Sequence, residues 1–161
     1  MKSQLGKGSV FLVYLPAHET EEKGVRHIPA SADAARKGRV LVMDDEELIR
    51  NIVGIMLRAL GHDAEFAENG EEAIAKYREA LSTGRRFDIV ILDLTVRGGM
   101  GGEETLHELL ALDPGVKAVV SSGYADSSAI SEYESRGFSA CLAKPYEAEA
   151  LRAILNELLK D

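Results

Sequence analysis

The chain has 161 residues, of which 45% are hydrophobic, 29% charged and 6% aromatic, with a formal net charge of −8. This suits one well-buried domain with an appendage, since domains commonly hold about 100–150 residues, and it excludes bulk disorder. No run approaches the roughly 18 apolar residues of a membrane-spanning helix, and the acidic balance argues against a general nucleic-acid binder, which needs a basic face.

The charge is unevenly placed. Residues 1–37 carry six Lys/Arg and four Asp/Glu, whereas residues 38–161 carry thirteen and twenty-three. An acidic domain therefore follows a short leader of different composition. The apolar stretch Val10 to Leu15 is too short for a signal peptide and has no small-residue cleavage site. A single cysteine, Cys141, excludes an internal disulfide framework and a cysteine-based zinc site, so a reducing, cytoplasmic setting is expected.

In chain order, Ser9 to Leu15 reads as a strand ending at Pro16, with no partner strand in sight. Residues 17–38 are polar and alanine-rich and read as a linker. From Arg39 onward, apolar runs alternate with helical patterns. Arg39 to Met43 forms a strand ending on Asp44 and Asp45. A helix follows, with Leu48, Ile49, Ile52, Val53, Met56, Leu57 and Leu60 on one stripe and Gly61 as its stop. Asp63 to Ala67 is a short strand, and Asn69-Gly70 turns into a helix carrying Ala73, Ile74, Tyr77 and Leu81.

Phe87 to Leu92 is an unbroken apolar strand ending on Asp93. A glycine-rich loop leads to a helix from about Glu103 to Leu112, which Asp113-Pro114-Gly115 breaks. Val116 to Val120 is a strand, Ser127 to Ser135 a weaker helix, Phe138 to Ala143 a strand and Glu147 to Lys160 the last helix. Five strands alternating with five helices imply parallel β/α units in a sheet covered on both faces.

Ligands of such sheets bind at the carboxyl ends of the strands. Those ends carry Asp44-Asp45, Asp93, Ser121-Ser122-Gly123 and Lys144-Pro145. Clustered carboxylates raise one another's pKa unless a cation holds them. An oxygen-only cluster favours Mg²⁺ over a transition metal, and a nearby lysine adds a second positive charge for a phosphoryl group. A carboxylate attacking phosphorus would give an acyl phosphate.

Val-Leu-Val-Met-Asp-Asp-Glu at 40–46, Ile-Leu-Asp-Leu at 91–94, Ser-Ser-Gly-Tyr-Ala at 121–125 and Lys-Pro at 144–145 together resemble the receiver domain of two-component response regulators, over residues 39–161. The resemblance implies a flavodoxin-like five-stranded parallel sheet of order 2-1-3-4-5 with helices on both faces. It implies Asp93 as phosphoacceptor from a phosphohistidine, and Mg²⁺ held by Asp44, Asp45, Asp93 and the backbone carbonyl of Thr95. Ser122 would be the switch hydroxyl, and Lys144 would pair with the phosphoryl oxygens, ahead of a cis Lys-Pro peptide. The partner would be a histidine kinase or a histidine phosphotransfer protein, with no nucleic acid and no membrane contact by this fragment.

Gly98-Gly99-Met100-Gly101-Gly102 looks like the corresponding loop of receivers attached to hybrid sensor kinases. Gly6-Lys7-Gly8 and the strand through Leu15 are similar to the end of a histidine-kinase ATP-binding domain. Residues 1–16 would then be a kinase remnant on a 17–38 linker, and the parent kinase could be membrane-anchored. No output segment is expected after residue 161, so output is expected through relay or feedback on the kinase. Strand 10–15 could pair with a sheet edge or swap into a dimer.

The family usually has Tyr or Phe three residues before the lysine, where this chain has Cys141; Tyr124 and Tyr146 lie near the same strand ends. Cys141 reads as a buried filler, and His107, on a helix among leucines, as a surface or satisfied histidine. Two other functions fit parts of the pattern: a phosphohydrolase with an aspartyl-phosphate cycle, and a pseudo-receiver scaffold that is never phosphorylated.

Overall fold

Residues 2–4, 8–10, 36–123 and 132–160 are described by the structure, a computed structural model whose chain divides into two units, Met1–Ala34 and Ala35–Asp161. In the first unit, β1 (Lys2–Gln4) and β2 (Gly8–Val10) pair antiparallel, with Lys2 opposite Val10. For Ser9 and Val10, the described part of the expected strand, the expectation of no partner is thereby corrected. Lys2, Ser3 and Gln4 satisfy its backbone groups, as any extended segment requires, yet their polar side chains carry no strand signal. Residues 11–15, on which most of the expected strand and its swap rest, lie outside the described residues.

The second unit holds β3 (Arg39–Met43), α1 (Glu47–Ala59), β4 (Asp63–Ala67), α2 (Gly70–Ser82), β5 (Ile89–Asp93), α3 (Gly102–Leu112), β6 (Ala118–Ser122), β7 (Ala140–Ala143) and α4 (Ala148–Leu158). The five strands β3 to β7 are parallel and lie in the order β4-β3-β5-β6-β7, which is the expected 2-1-3-4-5.

Successive side chains of a strand point to opposite faces, and here both faces are apolar. Val40, Val42, Ile89, Ile91, Val119 and Leu142 pack with Val53 and Leu57 of α1 and Leu151 and Leu155 of α4. Their neighbours Leu41, Met43, Val90, Leu92 and Val120 pack with Ala73 and Tyr77 of α2 and Leu106 and Leu109 of α3. This two-sided burial is why the strands read as unbroken apolar runs. Gly61 stops α1 at a φ of 88°, a left-handed conformation that glycine adopts without penalty.

Several strand boundaries move, among them the start of β5, which is Ile89 rather than Phe87. β6 starts at Ala118 rather than Val116, because Val116 N–H still closes the Asp113 turn at 3.1 Å; Ser121 and Ser122 thereby become its last two residues. Asp93 belongs to β5, paired with Ser121 across the ladder. β7 begins at Ala140, since Phe138 N–H is bound to the Tyr133 carbonyl at 3.0 Å. Most of the expected helix 127–135 lies outside the described residues, as does Tyr124. Among the described residues, no helix is long and apolar enough to cross a membrane.

Candidate phosphoacceptor and cation site

β3 and β5 are adjacent and in register, so their carboxyl ends bring Asp44, Asp45 and Asp93 together. Each offers a carboxylate oxygen within 4.8 Å of the others, the one such acidic group among the described residues. Asp44 is fully buried and Asp93 is 7% exposed. Lys144 reaches them from the end of β7, its Nζ 2.7 Å from Asp44 Oδ2 and 3.1 Å from Asp93 Oδ2. The Lys144–Pro145 peptide is cis, as the resemblance implies.

The charges respond to this packing. Burial raises the pKa of Asp93 above the ordinary carboxylate value, and the charge of Asp44 adds to it, against the opposing pull of Lys144 and the Thr95 N–H. Burial also works against the ammonium of Lys144, but the hydrogen bonds to Asp44 and Asp93 and the charge of Asp93 oppose it, and its pKa rises. Three carboxylates and one ammonium leave a net formal charge that a divalent cation would neutralise. The donor set is entirely hard oxygen, which suits Mg²⁺.

Other sequence-stated residues fall nearby in different ways. Thr95 is exposed just beyond Asp93, with its N–H directed to the Asp93 carboxylate. Ser122 is 1% exposed at the end of β6. Its carbonyl accepts the Lys144 N–H at 2.8 Å, and its hydroxyl donates to the Gly123 carbonyl at 3.3 Å. Cys141 packs on the α2/α3 side of the sheet, and burial pushes its thiol pKa up, which disfavours the reactive thiolate. Tyr146 packs on the α1/α4 side, so it does not occupy the aromatic position that Cys141 vacates. His107 is a surface residue, its side chain 86% exposed.

Sequence reasoning missed Arg50. It lies on the first turn of α1, and its side chain is only 12% exposed. Its Nη1 donates to the Asp44 carbonyl at 2.6 Å and its Nη2 pairs with Glu68 at 2.9 Å. The only signal was its position six residues after Asp44, on the turn that faces back towards the strand end. The contacts of Glu68 and Glu71 were equally invisible, because both read as ordinary acids around a helix start.

Comparison with known proteins agrees with this geometry. Residues 40–156 match the family model described as the response regulator receiver domain. The sensor kinase CckA of Brucella abortus is 29% identical over 167 residues, an alignment covering 98% of this chain and 17% of that kinase. The chemotaxis protein CheY of Thermotoga maritima is 29% identical over 123 residues, 76% of this chain and 98% of CheY. Among solved structures, the receiver domain of NtrX from Brucella abortus superposes with a TM-score of 0.68 at 27% identity, over 75% of this chain and 98% of that one.

Proposed function

The chain belongs to the response regulator receiver domain family, and from that membership we propose that Asp93 is its phosphoacceptor, taking a phosphoryl group from a phosphohistidine. A carboxylate oxygen of Asp93 attacks phosphorus, the P–N bond breaks, and the imidazole leaves with the bonding pair and picks up a proton. The product is an acyl phosphate on Asp93. Asp44, Asp45, Asp93 and the carbonyl of Thr95 would hold Mg²⁺, which when bound neutralises charge developing on the phosphoryl oxygens.

Lys144 is already placed between Asp44 and Asp93, so it can turn to the incoming phosphoryl oxygens without a large movement. Ser122 sits one residue beyond the Asp93–Ser121 pair, and its hydroxyl holds only a long bond to a neighbouring carbonyl. It is the group free to turn to the phosphoryl once formed. The single observation that carries the reading is the convergence of three acids and Lys144 on one sheet edge.

The partners are a histidine kinase or a histidine phosphotransfer protein. The alignment to a sensor kinase that spans 98% of the chain, leader included, supports a hybrid-kinase origin. Residues 1–16 would be the remnant of its ATP-binding domain and 17–38 a tether, with the receiver in the cytoplasm. The pairing of a leader strand with a second copy belongs to the same reading.

Incubation with acetyl phosphate and Mg²⁺ tests it. The wild type should gain one phosphoryl mass, and Asp93→Asn should gain none. An unmodified wild type, beside a control receiver modified by the same donor, would indicate a scaffold that is never phosphorylated. Steady turnover of small phosphomonoesters would indicate the phosphohydrolase instead.

A further inference from the structure

The two segments that meet at the acidic cluster are both fastened to one place outside it, the turn Glu68–Glu71 between β4 and α2. On one side, Asp44 N–H donates to the Ala67 carbonyl at 3.1 Å, and Arg50 bridges the Asp44 carbonyl to the Glu68 carboxylate. On the other side, the loop after Asp93 is held twice at Met100. The Gly70 N–H donates to the Met100 carbonyl at 2.9 Å, and the Met100 N–H donates to Glu71 Oε2 at 3.1 Å.

The turn is itself braced by two hydrogen bonds. Asn69 Oδ1 accepts from Glu72 N–H at 3.0 Å as the N-cap of α2, and Glu72 Oε2 accepts from Glu68 N–H at 2.8 Å. The fit leaves no slack. A Cβ on Gly99 would stand 2.8 Å from Asn69 Cβ, and one on Gly70 would stand 2.0 Å from Thr105 Oγ1. The loop that starts at Asp93 and carries Thr95 is thus pinned to the same turn as the Asp44-Asp45 segment.

We propose that Arg50 and Glu71 are positioning residues, which through the turn Glu68–Glu71 set the spacing between Asp44-Asp45 and the Asp93 loop, and so the affinity for Mg²⁺. The proposal rests on the reading of the acidic cluster as a Mg²⁺ site. Groups that orient metal ligands without touching the ion commonly govern its affinity.

Charge alone makes the opposite forecast for both residues, which allows a clean test. Removing the Arg50 cation beside an acidic site should tighten Mg²⁺ binding on electrostatic grounds, but weaken it if Arg50 acts by position. Glu71→Asp keeps the charge and shortens the reach to Met100, whereas Glu71→Gln loses the charge and keeps an acceptor for the same N–H. Mg²⁺ is titrated by calorimetry into the full chain, beside thermal melts in EDTA. The expected result is binding by Arg50→Met weakened about 10-fold, with Glu71→Asp also weakened and Glu71→Gln at the wild-type value.

Equal or tighter binding by Arg50→Met would overturn the proposal, as would Glu71→Gln weakened with Glu71→Asp unchanged. If Arg50→Met fails to fold, the Glu71 pair decides alone. Absence of Mg²⁺ binding in the wild type would overturn the function reading itself.

Discussion

Ser121 Oγ and the Tyr146 hydroxyl share a hydrogen bond of 2.5 Å on the α1/α4 side of the sheet, while Ser122, the next residue of β6, faces the α2/α3 side. The bond ties β6 to the segment that follows Lys144. Burial pushes the Tyr146 phenol up to about 12, so it stays a neutral partner at any ordinary pH. The two serines thus divide their work by face. Ser121 locks the strand end to α4's leading loop, and Ser122 is left beside the acids.

That lock should show as coupling. Ser121→Ala and Tyr146→Phe each strand a hydroxyl in a nearly dry place and should each cost about 1–3 kcal/mol. The double variant should cost clearly less than the sum, because the second change removes a group already without its partner. Urea denaturation of the four proteins measures this, and strictly additive losses would deny the coupling.

Asp93→Asn should stabilise the metal-free protein. The raised pKa of Asp93 means that the folded state holds its proton more tightly than the unfolded chain. As pH rises, the unfolded chain ionises first, so stability falls until the folded group ionises too, and the full penalty is present at neutral pH. Removing it should gain about 0.5–2 kcal/mol in EDTA. Added Mg²⁺ should shrink the gain, since it stabilises only the form that binds it. Thermal melts with and without Mg²⁺ give both numbers.

His62 should set part of the acid limb of stability. It is 4% exposed and accepts the Gly38 N–H at Nδ1, 3.1 Å away. Burial lowers its pKa from 6.5, although Asp88 and Asp63 oppose the shift. As pH falls below that value the unfolded chain takes up the proton first, and stability is lost until the folded histidine is protonated as well. His62→Gln should flatten this loss in urea midpoints taken between about pH 5 and 8. An unchanged slope would remove His62 from the account.

Gly102→Ala separates helix propensity from packing at the site. Alanine is the better helix former by about 1 kcal/mol in a helix interior. At Gly102, however, a Cβ would stand 2.6 Å from the backbone carbonyl oxygen of Asp93. Backbone cannot rotate away as a side chain can, so the clash should win, at a cost of about 1–3 kcal/mol. Because the displaced atom belongs to Asp93, the rate of modification by acetyl phosphate should fall too. Gly115→Ala, whose Cβ would meet only Asp113 Oδ1 at 3.4 Å, should leave both measurements near the wild type.

The chain alone determined the alternation of strands and helices, the two-sided sheet and the identity of Asp44, Asp45, Asp93 and Lys144 as strand-end residues. These are legible because apolar periodicity reports burial directly, and because parallel β/α units place every strand's carboxyl end on one edge. It did not determine the inclusion of Ser121 and Ser122 in β6, or the face on which Tyr146 lies. Nor did it show that Arg50 and Glu71 hold the two acid-bearing segments. Those facts depend on contacts between residues distant in sequence, made by polar groups with no periodicity to betray them. Only the register of the strands and the packing of α1 and α2 around the site bring such groups within hydrogen-bonding distance.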